Sequence, residues 1–192
     1  MSSQHHQWMA KALQLARRGL YTTDPNPRVG CVLVKDGQLV GQGFHHRYGE
    51  PHAERMALAD AGDKAKGSTA YVTLEPCCHT GKTPPCSEGL IEAGVVEVVV
   101  AMSDPNPLVA GKGIAQLRAA GINVIEDVLS TDARAINPGF FKRMAEQKPY
   151  VRLKLGMSLD ARTAMASGES QWITGDAARR DVQKLRARSS CV

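Results

Sequence analysis

No stretch of this chain approaches the roughly 20 consecutive apolar residues that a membrane-spanning helix requires, so a membrane-embedded protein is not expected. The N-terminus, Met1 to Gly19, has neither an apolar signal core nor a small-residue cleavage site. It reads as an amphipathic helix, which points to a cytoplasmic location. The cysteines do not form an even set: there are five, Cys31, Cys77, Cys78, Cys86 and Cys191. An odd count in a chain without secretion signals argues against a disulfide framework. The basic excess is also missing from most of the chain. Residues 1–147 hold 15 Lys/Arg and 15 Asp/Glu, so the net charge of +5 arises from residues 148–192, with nine basic and four acidic residues. A domain that grips a nucleic-acid backbone carries a basic face of its own, so no nucleic-acid partner is expected.

What is present alternates between two periods. Trp8, Met9, Ala12, Leu13, Leu15 and Ala16 recur at helical spacing and predict a helix over Gln7–Arg18, ahead of which His5 and His6 read as a mobile tail. Val29–Val34 and Leu39–Phe44 read as strands joined at Asp36-Gly37, a strong hairpin signal. A helix over His52–Ala61 ending at Gly62, a strand over Thr69–Leu74, a short helix from Cys86 and a buried strand over Val95–Met102 follow. Then come a helix over Lys112–Ala120, a short strand over Ile122–Glu126 and a helix over Thr131–Glu146, weakened by Pro138-Gly139. This order predicts an α/β domain with helices on both faces of a mixed sheet. Lys148-Pro149 marks the expected boundary, giving domains 1–147 and 148–192. The second stretch predicts a strand over Tyr150–Leu155, a loop and a basic helix over Asp176–Arg188. A unit of about 45 residues cannot bury a core of its own, so it reads as the start of a second domain, with an unpaired apolar strand that invites aggregation.

The chemistry concentrates in two places. Three of the cysteines crowd into ten residues, Cys77 to Cys86, and upstream stands Pro51-His52-Ala53-Glu54. One imidazole and two thiolates, from His52, Cys77 and Cys86, make a three-ligand set for Zn²⁺ with one position left for water, the signature of a catalytic site; a structural site fills all four positions. Glu54 is then the candidate acid/base, lying at the start of a helix where side chains converge on a point beyond the free amides. Cys78 and His79 are the residues that could close the site into a structural zinc knuckle. Cys31 sits mid-strand and reads as a small buried apolar residue.

His52-Ala53-Glu54 and Pro76-Cys77 resemble the H-x-E…P-C-x-x-C signature of the zinc deaminases of nucleobases. The spacing departs from it: eight residues, Cys78 to Pro85, separate the two cysteines. The longer form, Pro76-Cys77-Cys78-His79-Thr80-Gly81-Lys82-Thr83-Pro84-Pro85-Cys86, is similar to the riboflavin-biosynthesis deaminase/reductase family. So are Asp24-Pro25-Asn26-Pro27-Arg28-Val29-Gly30, Tyr71-Val72-Thr73-Leu74-Glu75-Pro76-Cys77, Ser103-Asp104-Pro105-Asn106-Pro107, Leu153-Lys154-Leu155-Gly156-Met157-Ser158-Leu159-Asp160 and Ala166-Ser167-Gly168-Glu169-Ser170-Gln171-Trp172-Ile173-Thr174.

The resemblance implies a three-layer α/β/α fold of the cytidine deaminase-like type, followed by the truncated start of an α/β reductase domain. It implies one Zn²⁺ per chain and deamination of a ribosylated, phosphorylated diaminopyrimidinone to the aminouracil phosphate plus ammonia. Asn26, His45, Lys82, Asp104 and Asn106 would contact that small-molecule pyrimidine ribonucleotide. In the reductase part, Gly156 and Trp172 would meet NADPH, and Ser170 and Arg186 the reductase substrate, but only if that domain were complete. A homo-oligomer is compatible with the pattern. Arg55 stands where the family more often has an apolar residue, and Cys78 where it more often has Ser. A nucleic-acid base deaminase and an inactive zinc-stabilised fragment are the competing readings.

Overall fold

Asp36-Gly37 turns the chain back on itself as its sequence predicts. In the computed structural model, which describes residues 3–81, 83–107 and 109–192, strands β1 (Gly30–Lys35) and β2 (Gln38–Phe44) pair antiparallel, with Lys35 opposite Gln38. Both turn residues have positive φ, 51° at Asp36 and 74° at Gly37, as the two-residue turn matched to strand twist requires. β3 (Thr69–Val72) lies antiparallel on the other side of β1; β4 (Glu97–Val100) and β5 (Asn123–Ile125) continue parallel to it. The sheet order is β2-β1-β3-β4-β5.

Alternation along the strands divides the core in two. Cys31, Leu33, Val72, Val98 and Val100 face α2 (Ala53–Ala61), α3 (Cys86–Glu92) and α4 (Lys112–Ala119), where Ala57, Leu90 and Leu117 meet them. Val32, Val34, Tyr71 and Val99 face the opposite way, toward Met9, Ala12 and Leu13 of α1 (Ser3–Arg17) and Phe141 of α6 (Pro138–Glu146). Helices therefore cover both faces of a mixed sheet, the three-layer α/β/α arrangement that the family resemblance implies.

The strand directions decide where a site can form. β2, β3 and β4 all run the same way, and β1 runs against them. The residues after Phe44, after Val72 and after Val100, and those before Gly30, thus gather at one edge of the sheet. Crevices outside the carboxyl ends of parallel strands are the usual ligand sites of α/β sheets.

Away from the site, the structure corrects three expectations. The long last helix is two, α5 (Ser130–Ile136) and α6, broken at Asn137. Proline disfavours helical backbone in the residue before it, and the freed Asn137 side chain bonds the loop before β1: its Oδ1 accepts the Arg28 N–H at 2.8 Å and its Nδ2 donates to the Arg28 carbonyl at 2.9 Å. The first helix starts at Ser3, so His5 and His6 belong to it, and His5 Nδ1 lies 3.1 Å from the Tyr71 hydroxyl. Finally, no strand forms over Tyr150–Leu155. The chain divides into the units Met1–Pro149 and Tyr150–Val192, and the five strands found among the described residues lie in the first. Without a neighbour to complete its hydrogen bonds, the alternating segment stays open, with Val151 80% and Leu153 81% exposed. The second unit contains α7 (Asp176–Ala187), none of whose residues is buried. Among the described residues, no helix is long and apolar enough to cross a membrane.

Candidate metal centre and its cavity

Two glycines set the height of α2 above the sheet. A Cβ at Gly41 would stand 2.4 Å from the Ala57 carbonyl oxygen, and one at Gly43 would stand 2.5 Å from that of Ala53. At these two positions β2 has no side chain beneath the helix, and α2 rests directly on its backbone. This brings the start of α2 to the sheet edge where the strand ends gather. His52 is the residue just before the helix, with extended backbone (φ −72°, ψ 165°), and not its first helical residue as the sequence suggested. Residues two apart do not share a helix face; the extended step at His52 is what lets its imidazole and the Glu54 carboxylate serve one site. Cys77 lies in the loop after β3, and Cys86 opens α3.

These three segments converge. His52 Nδ1 lies 3.5 Å from Cys77 Sγ and 3.4 Å from Cys86 Sγ, and all three ligand atoms lie within 4.8 Å of one another. Tetrahedral zinc, with bonds of about 2.3 Å to sulfur and about 2.0 Å to nitrogen, separates such atoms by roughly 3.6 Å. The donor set and its spacing fit one Zn²⁺. Among the described residues the group has three ligands, and Cys78 and His79 do not join it. The Cys86 amide donates to Cys77 Sγ at 3.4 Å. The Cys77 carbonyl accepts the Ser87 N–H at 3.1 Å and its hydroxyl at 3.0 Å, which fixes the ligand loop against α3.

The charges are poised for proton traffic. Hydrogen bonding from Cys86, then from His52, holds the Cys77 thiol down at about 4, against the opposing effect of burial. The hydrogen bond to Cys77 and burial push Cys86 up, so the pair tends to keep one proton that metal binding, which takes thiolates, would release. The hydrogen bond with Cys77 raises His52. Glu54 is 3% exposed; burial, then the charge of Cys77, pushes its carboxyl up to about 7. A group that titrates near neutral pH is suited to both accept and deliver a proton.

A cavity of about 580 Å³ opens on this group. His52, Glu54 and Cys77 line it, together with Asn26, His45, Asp104 and Asn106, the contacts that the family resemblance implies. His45 is buried, and burial holds its pKa down. The Asn26 amide donates to His45 Nε2 at 3.1 Å, which leaves Nδ1 to donate to the Pro51 carbonyl at 3.2 Å. That network assigns the neutral tautomer with the proton on Nδ1. Asp104 Oδ1 accepts the Asn106 N–H at 2.8 Å, making a compact turn, and burial pushes the Asp104 carboxyl up to about 6. Lys82 lies outside the described residues. Gly156, Ser170, Trp172 and Arg186 fall in the second unit, where Ser170, Trp172 and Arg186 are exposed and the Arg179 guanidinium lies 4.3 Å above the Trp172 ring.

Several lining residues carry no signal in the sequence. Phe140, Arg143 and Met144 of α6 belong to the wall, about 90 positions from His52, and the pattern Phe140-Phe141-Lys142-Arg143-Met144 reads only as an amphipathic helix. Arg143 donates to the Pro25 carbonyl and so closes α6 onto the loop that carries Asn26. Arg55, the unusual neighbour of Glu54, donates to the Pro85 carbonyl at 2.6 Å. Its guanidinium fills the space over Gly89, where a Cβ would stand 2.5 Å from the guanidinium carbon. Arg55 thereby holds the end of the loop that leads into Cys86.

Residues 2–102 match the family described as the cytidine and deoxycytidylate deaminase zinc-binding region, and residues 149–192 match the RibD C-terminal domain. The riboflavin biosynthesis protein RibD of Haemophilus influenzae is 64% identical over 191 residues, which cover 100% of this chain and 51% of that protein. The structure of Acinetobacter baumannii RibD superposes with a TM-score of 0.94 at 61% identity, over 97% of this chain and 52% of that one. A diaminohydroxyphosphoribosylaminopyrimidine deaminase/5-amino-6-(5-phosphoribosylamino)uracil reductase from Thermotoga maritima superposes with a TM-score of 0.90 at 43% identity, over 95% of this chain and 53% of that one. The chain spans about half the length of each of these relatives.

Proposed function

The chain belongs to the cytidine and deoxycytidylate deaminase zinc-binding family, and from that premise we propose that it deaminates the ribosylated diaminopyrimidinone phosphate of riboflavin biosynthesis. Three ligand atoms spaced for one zinc ion, with a buried carboxylate beside them on a cavity of about 580 Å³, carry this reading. His52, Cys77 and Cys86 would hold the ion. When bound, zinc supplies Lewis acidity that makes water nucleophilic at neutral pH.

The remaining work falls to the chain's own side chains. Water adds at the ring carbon that bears the amino group, the C–N bond breaks, and ammonia leaves. Glu54, buried beside the ligands, takes a proton from the attacking water and gives it to a ring nitrogen, then takes the proton of the added hydroxyl and delivers it to the departing amine as the carbonyl forms. Asn26 spends one N–H on His45 and keeps its amide oxygen and second N–H for an amino-carbonyl edge. With both nitrogens engaged, His45 orients Asn26 and is not a proton carrier. Asp104 and Asn106 bound the far side of the substrate, and Lys82 meets its phosphate as a point charge. The balanced charge of residues 1–147 supports a small molecule over a nucleic-acid substrate.

Residues 148–192 form, on this reading, the first part of an NADPH-dependent reductase domain, with the deaminase domain occupying residues 1–147. The double name of the Thermotoga relative supports that division. Gly156, Ser170, Trp172 and Arg186 would act only within the longer domain.

Zinc-loaded protein incubated with the diaminopyrimidinone phosphate should yield the corresponding uracil by mass spectrometry, with one ammonia per substrate consumed. Full zinc occupancy without product would sink the reading.

A further inference from the structure

We infer that Glu75 is a positioning residue that ties the metal side of the cavity to its substrate side through one buried carboxylate. Glu75 directly precedes Pro76-Cys77 and is 3% exposed. A buried carboxylate is tolerated only when its oxygens are well bonded. Here both are. Oε1 accepts the N–H of Gly113 at 3.0 Å and of Ile114 at 3.2 Å. Oε2 accepts the N–H of Asp104 at 3.1 Å and of Gly111 at 2.9 Å.

Three segments thereby meet on one side chain: the loop that carries Cys77, the turn that carries Asp104 and Asn106, and the start of α4. The residue preceding α4 is Gly111, which has no side chain to cap the helix; Glu75 supplies the missing acceptor from a distance. α4 is also pressed against the ligand loop, since a Cβ at Gly113 would stand 2.0 Å from the Pro76 carbonyl oxygen. Farther along the helix, the Gln116 side chain lies 2.8 Å from the Ser87 hydroxyl, which donates to the Cys77 carbonyl. The Glu75 backbone N–H in turn donates to Met102 at 3.0 Å, beside the Asp104 turn.

Glu75 lines the cavity, yet each of its oxygens already accepts two N–H groups. It is therefore occupied in holding backbone and is not placed to carry protons, which remains the task of Glu54. The distance between the zinc ligand Cys77 and the Asp104-Asn106 turn depends on this carboxylate, and so does the fit of a substrate between them. For its kinetic arm alone, the inference rests on the deaminase reading above.

Glu75→Gln tests it on the zinc-loaded full chain. Whichever way the amide turns, its NH₂ faces two N–H donors. KM should rise about tenfold while kcat stays within about threefold. Zinc should remain bound, the pH profile of kcat should not move, and amide exchange followed by NMR should quicken at Asp104 together with Gly111, Gly113 and Ile114. A collapse of kcat at constant KM would make Glu75 a proton carrier and overturn the inference. So would a lowered Tm with unchanged kinetics and unchanged exchange at Asp104. If Glu75→Gln does not fold, Glu75→Asp keeps the charge, shortens the arm and should shift KM the same way by less; unchanged KM there would overturn the inference. If the wild-type chain turns over none of this substrate, the deaminase reading fails and exchange alone decides: faster exchange at Asp104 supports the link, unchanged exchange refutes it.

Discussion

In the unit Met1–Pro149, consecutive apolar strand residues point alternately into two cores; in Tyr150–Val192, Val151, Leu153 and Leu155 remain in solvent. The local patterns differ: β1 and β4 are runs of apolar residues covered on both faces, whereas Arg152 and Lys154 interleave Val151, Leu153 and Leu155, so the second segment has one face to cover and nothing covers it. Burial comes where a neighbouring strand completes the hydrogen bonds and a helix covers the face. The same rule governs the site. His52, Cys77 and Cys86 come from three segments separated in sequence, and they meet only because β1, β2, β3 and β4 deliver their ends to one edge. The first unit holds a complete cavity because its elements are locked from both faces of the sheet.

The largest blow to that contrast is Cys86→Ala. The ion would join the start of α2, the loop after β3 and the start of α3, so losing one ligand uncouples all three segments. Metal analysis should find zinc lost, turnover should fall to background and Tm should drop, since metal binding is also folding energy. If the variant keeps zinc at full occupancy, Cys78 has taken the vacated position and the ligand assignment is wrong.

Glu54→Gln comes next. The amide is nearly the same size and is no ligand, so zinc content and fold should persist while turnover falls by about 10²–10⁴. Near-normal rates in that variant would remove Glu54 from the chemistry.

Much of this was legible in the sequence, for identifiable reasons. The hairpin follows from two turn residues, and the metal group from side-chain types whose chemistry is rare outside such sites. Asn26, His45, Asp104 and Asn106 line the cavity, but only the family resemblance singled them out, because amides and turn residues have many uses. What stayed hidden depends on long-range contact. Arg143 reaches the cavity because α5 and α6 break at Asn137, and that break takes its meaning from Arg28, more than 100 positions earlier. Glu75 looks like a surface charge until the fold wraps four amides around it. The unformed strand at Tyr150–Leu155 has the converse cause: its own residues favour a strand, and a strand needs a partner that they cannot supply.

Asp104 sharpens the picture within the first unit, by setting stability against function. Burial, and then the charges of Glu75 and Cys77, pushes its carboxyl up to about 6, above the ordinary value of about 4. Between those two values the folded chain holds a proton that the unfolded chain has released. Folding is therefore favoured at low pH, and its stability declines as pH rises toward 6 and stays lowered above it. Asp104→Asn keeps the oxygen that accepts the Asn106 N–H and removes the titration. It should stabilise the metal-free chain by about 1–3 kcal/mol at pH 8, with the gain gone near pH 4. Denaturant unfolding at the two pH values measures this, and catalysis should weaken in the same variant. An equal gain at both pH values would mean that the carboxylate is not under strain.

The smallest effect belongs to the second unit. Leu153 is 81% exposed, so Leu153→Thr removes no packed contact and should change unfolding stability by less than about 0.5 kcal/mol. Leu33, buried at the centre of β1, would cost about 2–5 kcal/mol if cut to alanine. The threonine should nevertheless matter for solubility, because Val151, Leu153 and Leu155 offer an unpaired apolar edge to any second copy of the chain. Light scattering at rising concentration should show less association in the variant at an unchanged melting temperature. A melting temperature several degrees lower would show that Leu153 is buried in solution, and the contrast between the two units would then fail at its most exposed residue.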